Sequence, residues 1–176
     1  LLLLTPFSKI NTVENNELLI EGNIQLISSD TVNIEFAWVD KKELIQLSNA
    51  PANGRYMNLW SQTCFEIFMQ PVGLEKYYEF NLSAAKAWNV FAFDKYREPQ
   101  PPTEYPQTDL LKFDVSSNSL KVQFRLAGLD LKKVKVSICA VIVLKDIGTT
   151  YWSTKHADTK PNFHHFDSFF IERNAP

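Results

Sequence analysis

"LLIEGNIQLISSDTVNIEFAWV", residues 18–39, decides the fold. In its first half Ile20, Gly22, Ile24 and Leu26 share one parity, and Glu21, Asn23 and Gln25 take the other. In its second half Val32, Ile34, Phe36 and Trp38 alternate with Thr31, Asn33 and Glu35. Successive side chains of a strand point to opposite faces, so each half reads as a strand with one apolar and one polar face. The Ser28-Ser29-Asp30 link is turn chemistry, and the two halves read as a hairpin.

The same period recurs further along the chain. Leu120, Val122, Phe124 and Leu126 oppose Lys121, Gln123 and Arg125. Residues 134–144 begin that way and then become apolar on both parities in "CAVIVL" (139–144), as a central strand covered on both faces requires. Helix signals are confined to "DKKELIQL" (40–47), two turns with Asp40 as N-cap, and "AGLDLKK" (127–133), one turn. The proline-rich "REPQPPTEYPQ" (97–107) reads as an extended surface connection inside the domain. Many strands, frequent turns and little helix predict an all-β antiparallel sandwich with one or two short helices, built as one domain over residues 1–176.

Composition narrows the function. The 176 residues are 45% hydrophobic and 13% aromatic, enough for a substantial core, and the net charge is −2. No Lys/Arg cluster or basic helix occurs, which argues against nucleic acid and anionic membrane as partners. Cys64 and Cys139 each sit in an apolar strand-like run and read as reduced core thiols. The opening "LLLL" lacks a basic flank and is too short for a leader or a span. The expected location is the cytoplasm, with a removed signal peptide left open.

The candidate site begins at "NLWSQTCFEIFMQ" (58–70). As a strand from Cys64 to Gln70, it puts Phe65, Ile67 and Met69 on one face and Cys64, Glu66 and Phe68 on the other. A carboxylate between a thiol and a phenyl ring is an odd composition for a water-facing surface. Trp60 precedes Glu66 by six residues and could fold its ring over that face. A flat indole beside a carboxylate suits a sugar, whose apolar face stacks while its hydroxyls donate. The competing reading is a loop-anchoring Trp and a Glu paired to a nearby Arg or Lys.

"YYEFNLS" (77–83) carries the same duality: Tyr78, Phe80 and Leu82 on the core side, Tyr77, Glu79, Asn81 and Ser83 as a polar stripe. Were the two strands neighbours, Glu66 and Asn81 would share one sheet face and a common ligand. Trp88, Tyr96 and Arg97 in "AWNVFAFDKYRE" (87–98) are further pocket candidates, with Arg97 placed to fork onto Glu66 or a ligand oxygen. Trp152 and His164 are expected to close the rim.

His156, His164 and His165 match no zinc spacing, and neither cysteine sits in a CxxC pair. There is no G-x-S-x-G elbow and no glycine-rich phosphate loop. The expectation is a binding module and not an enzyme, with no metal and no required cofactor.

Three motifs together carry a resemblance: Leu59-Trp60-x-x-Thr63-Cys64-Phe65-Glu66, Glu79-Phe80-Asn81-Leu82-Ser83 and Phe163-His164-x-x-Asp167-Ser168-Phe169. With them the chain resembles the DOMON-like domains, specifically a bacterial group found fused to Mur-type proteins, from "LTPFSK" to about residue 173. The resemblance implies an Ig-like β-sandwich and a non-catalytic ligand-binding role. Its sugar-binding relatives, the family 9 carbohydrate-binding modules, place a stacking Trp six residues before the Glu of Glu-Ile-Phe, as Trp60 and Glu66-Ile67-Phe68 do here. Their inner-strand Arg corresponds to Asn81, and their second stacking Trp falls at Phe163 or His164. Haem-binding relatives imply a b-type haem alternative, with Met57 and His164 as axial ligands. A protein-interaction domain, with Trp60 and Glu66 packed and no cavity beside them, is the third reading.

Overall fold

The computed structural model describes residues 1–10, 16–50 and 53–176. Its thirteen strands run in chain order: β1 (Leu2–Pro6), β2 (Leu18–Leu26), β3 (Thr31–Asp40), β4 (Gly54–Arg55), β5 (Cys64–Pro71), β6 (Tyr77–Leu82), β7 (Ala87–Phe93), β8 (Thr103–Glu104), β9 (Thr108–Val115), β10 (Ser119–Leu126), β11 (Lys133–Leu144), β12 (Gly148–Ser153) and β13 (Ile171–Asn174). The hairpin anticipated from residues 18–39 is β2–β3, with Ile24 opposite Ile34 and Gly22 opposite Phe36.

Two layers result. The first runs β1-β2-β3-β10-β9, and the second runs β4-β7-β6-β5-β11-β12-β1, with β8 on β7 and β13 on β11. β1 belongs to both: Leu2–Leu4 pair with β2 and Thr5–Pro6 with β12. A strand that changes sheets in this way closes one edge of a sandwich. The described pairings are antiparallel except β4 with β7. β11 is the central strand expected from "CAVIVL", flanked by β5 on one side and by β12 and β13 on the other.

The apolar parities of both layers meet in one core. Phe65 stacks on Trp38 at 5.0 Å between centroids, and Phe80 and Trp88 both lie against Phe124 at 5.8 and 5.1 Å. Gly22 marks the closest approach: a Cβ there would stand 2.6 Å from Ile138 and 2.7 Å from Phe36, so the packing itself demands a glycine.

Neither expected helix forms. Residues 41–47 run as a loop bridged at Ile45 to Leu144, although Asp40 accepts from the backbone N–H groups of Leu44 and Ile45 at 2.9 and 2.8 Å. Asp40 therefore caps, as its residue type predicts, but the backbone beyond it is held by the edge of β11 and not by a helix. Residues 127–132 form a turn and a short irregular link into β11, and the helical elements described are two 3₁₀ turns, Leu59–Ser61 and Phe166–Ser168. The 97–107 segment is a connection within the described fold but not an extended one: residues 97–101 turn and bend, and Thr103–Glu104 add to the edge of β7.

Candidate functional site

The second layer is covered on its outer face as well. Cys64 and Phe68 of β5, Tyr77 of β6, Ala87, Phe91 and Phe93 of β7 and Cys139 and Val141 of β11 form a second apolar cluster with Leu59, Phe163 and Phe169 from two overlying segments. Within it lies a cavity of about 270 Å³, whose wall and rim come from Trp60, Phe93, Tyr151 and Phe163, from Arg97, Gln100 and Pro102, and from Pro161 and His164. Its floor is β5 and β6, which contribute Glu66, Phe68 and Glu79.

Strand parity and pairing explain the floor. Glu66 lies opposite Asn81, and Phe68 lies opposite Glu79. All four point away from the core of Phe65, Ile67 and Phe80, so two carboxyl groups sit diagonally on neighbouring strands. Both are nearly sealed from bulk water, Glu66 at 2% and Glu79 at 5% exposure. Burial, reinforced by the charge of Glu79, holds the Glu66 carboxyl well above the usual carboxylate range. Burial likewise lifts Glu79 to about 7, against an opposing hydrogen bond from Asn81 and the charge of Arg97.

A polar relay runs outward from Glu79. The Asn81 amide donates to Glu79 Oε1 at 2.9 Å, and His164 Nε2 stands 3.7 Å from Glu79 Oε2. His164 Nδ1 is 2.7 Å from the Tyr77 hydroxyl, which already accepts from the Arg97 backbone N–H at 3.1 Å. The Glu79 carboxyl beside Nε2 favours the neutral tautomer with its proton on Nε2, and in that tautomer Nδ1 accepts from the Tyr77 hydroxyl. Burial, with the charge of Arg97, depresses His164 to about 3, in keeping with that neutral state. Glu66 differs. Among the described residues its Oε1 has no hydrogen-bond partner, and neither has Asn81 Oδ1.

The walls are ordered by local structure. Leu59, fully buried, anchors the first 3₁₀ turn and leaves Trp60 half-buried, edge-on to Phe91 at 5.5 Å. Asn162 ties the overlying segments together, donating to Asp158 and the Tyr96 hydroxyl at 2.9 and 3.0 Å and accepting from the Arg97 guanidinium at 3.2 Å.

Of the residues anticipated from sequence, Trp60, Glu66, Arg97 and His164 come together around the cavity. Asn81 lies beneath the lining, fully buried and bonded to Glu79. Arg97 forks onto neither carboxylate; its guanidinium holds Asn162. Trp88 and Trp152 are corrected: both face the inter-sheet core. Trp88 pairs with Leu82, on the inner parity, beneath the Arg55 guanidinium at 4.5 Å. Trp152 pairs with Ala140 and gives its indole N–H to Thr150 at 2.8 Å. The rim position expected of Trp152 belongs to its neighbour Tyr151, one parity over, opposite Val141.

The haem pair does not converge. Met57 is not among the cavity-lining residues and its sulfur takes the Asn89 amide at 3.5 Å, while both ring nitrogens of His164 face protein groups. The residues present do not fit a haem held by these two ligands. Among the described residues no three of His, Cys, Asp and Glu are grouped to hold a metal ion. Glu79, Phe93 and Tyr151 were not singled out as site residues from sequence; the parity they share with Glu66 and Asn81 across paired strands was the available signal.

No protein-family profile and no curated protein matches the chain. Its fold is similar to a crystal structure from Bacteroides uniformis described as a "putative carbohydrate-binding protein", with a TM-score of 0.66 and 14% identity over 99% of this chain and 87% of that one. At that identity the likeness concerns the fold.

Proposed function

We propose that the chain is a non-catalytic binding module that holds a single saccharide residue in the cavity above β5 and β6. One observation carries the reading: a cavity of one-ring size whose walls are aromatic and whose floor includes Glu66, a buried carboxyl with an unpartnered oxygen, Oε1. At about 270 Å³ its volume falls just below the range of drug-sized ligand sites, which run from roughly 300 Å³ upward, as suits a single ring. Trp60, Phe93, Tyr151 and Phe163 supply an aromatic wall for the apolar side of a sugar ring, and the floor takes hydrogen bonds from its polar groups. The open cavity beside Trp60 and Glu66 counts against a purely structural cluster. Kinship with DOMON-like domains and family 9 carbohydrate-binding modules belongs to the same reading, supported by the six-residue Trp60–Glu66 spacing now ending at one cavity. So does the description of the B. uniformis structure.

The test is titration of the protein with a panel of neutral and amino monosaccharides, monitored by tryptophan fluorescence and calorimetry. Saturable binding that perturbs Trp60, with the sugar recovered unchanged, is the expected result. Saturable binding unaffected by both Trp60→Ala and Glu66→Gln would place the site elsewhere.

A further inference from the structure

Resting on the saccharide reading, we propose that the site selects a ring bearing a protonated amino group, with the ammonium directed at Glu66, over the matching neutral sugar. Among the described residues Glu66 is the unpaired group of the floor. Glu66 lines the cavity with a side chain 2% exposed, and its Oε1, sealed from water, is unpartnered; Asn81 Oδ1 is a second unpartnered acceptor. Of the nearby donors, one Asn81 amide N–H goes to Glu79, the Tyr77 hydroxyl faces His164 and one Arg97 guanidinium N–H goes to Asn162, so none of these three is bonded to Glu66. A group rich in donors with no acceptor complements that floor, and an ammonium has three donors and no acceptor. A hydroxyl pairs with the carboxylic acid form of Glu66 through one donor and one acceptor, whereas an ammonium pairs with the ionised form through a charge-assisted bond.

Charge points the same way. Two carboxyl groups face a cavity to which Arg97 is the lining cation, and among the described residues Glu66 has no salt-bridge partner. An ammonium that enters as Glu66 ionises adds one charge of each sign beside Glu79 and Arg97, so the buried set gains no net charge. Aromatic rings in the wall, Trp60 among them, suit a cation as well as an apolar ring. In the empty site Glu66 holds its proton, because burial and Glu79 disfavour its ionised form. Binding then exchanges that proton: the carboxylic acid ionises, the ammonium pairs with the carboxylate, and one proton leaves to buffer.

The experiment is calorimetry at about pH 7 with the pairs glucose and glucosamine, galactose and galactosamine, and mannose and mannosamine, plus cyclohexylamine, in two buffers of different ionisation enthalpy. The expected result is an amino member binding about tenfold or more tighter than its neutral partner, with about one proton released. Glu66→Gln should erase that preference while leaving neutral-sugar binding measurable. Should it fail to fold, proton release by the wild type carries the test. Neutral sugars binding as tightly as their amino partners overturn the inference and leave the saccharide reading standing. Cyclohexylamine binding while no sugar binds overturns the sugar and keeps the ammonium site. Binding of neither class overturns both.

Discussion

The hairpins β2–β3 and β5–β6 are built alike and end in different environments. Both are antiparallel, both put one parity into the inter-sheet core, and both carry polar residues on the other. On β2–β3 that second face meets water: Glu35 pairs with Lys121 at 2.8 Å, and Gln123 donates to Asn33 at 2.8 Å, along an open polar surface. On β5–β6 it is roofed by the segments around Trp60, Arg97 and Phe163, and Glu66, Glu79 and Asn81 become buried groups. An identical sequence grammar thus yields a solvated face in one hairpin and a ligand cavity in the other. The roof is the difference.

The likeness of the two hairpins is tested most severely at the side both share. Phe65→Ala removes a fully buried ring stacked on Trp38 and should cost about 3–5 kcal/mol of unfolding free energy, measured by urea denaturation. A cost near that of a surface change would mean that β5 does not seat the core. Gly22→Ala, which thrusts a methyl group into Ile138 and Phe36, should cost about 1–3 kcal/mol in the same assay.

On the roofed face, Trp60→Ala and Glu66→Gln should each weaken ligand binding by roughly 1–3 kcal/mol, the scale of a stacked aromatic or a charged hydrogen bond. Folding should survive in both, as checked by circular dichroism.

Next comes pH. Glu79 is raised from 4.5 to about 7, so between those values the folded state keeps a proton that the unfolded state has released. Its contribution to stability therefore falls as pH rises from about 4.5 to about 7 and is level above. Glu79→Gln should gain stability relative to wild type across that window. His164 acts in the opposite sense: with its pKa lowered from 6.5 to about 3, the unfolded chain takes up a proton that the buried ring refuses. Stability from this group falls as pH drops from 6.5 toward 3. Denaturation at a series of pH values, on wild type and Glu79→Gln, separates the two slopes. The smallest effect belongs to the open hairpin, where Glu35→Gln should change stability by no more than about 0.5 kcal/mol.

Strand parity was legible wherever it alternated cleanly. The core faces of β2, β3, β5, β6 and β10 are read directly from residues 18–39, 64–70, 77–83 and 120–126. Local sequence was a poor guide at residues 40–47, where Asp40 caps as expected yet the backbone beyond it is captured by the edge of β11. Trp88 and Trp152 were drawn toward the site by residue type, since tryptophan suits both a core and a sugar face. Their pairing with Leu82 and Ala140 puts them in the core.

By itself, then, the sequence determined a two-layer β fold and the presence of Glu66 and Asn81 on outward parities close to Trp60, because alternation is a local property of the extended chain. Whether that parity would face water or a roof was decided only in three dimensions. The covering segments join β5 and β6 from far along the chain: Tyr77 meets His164 across 87 residues, and Arg97 meets Asn162 across 65. Contacts of that separation leave no periodic trace in the sequence, and it is they that turn two ordinary glutamates into a buried pair at the bottom of a cavity.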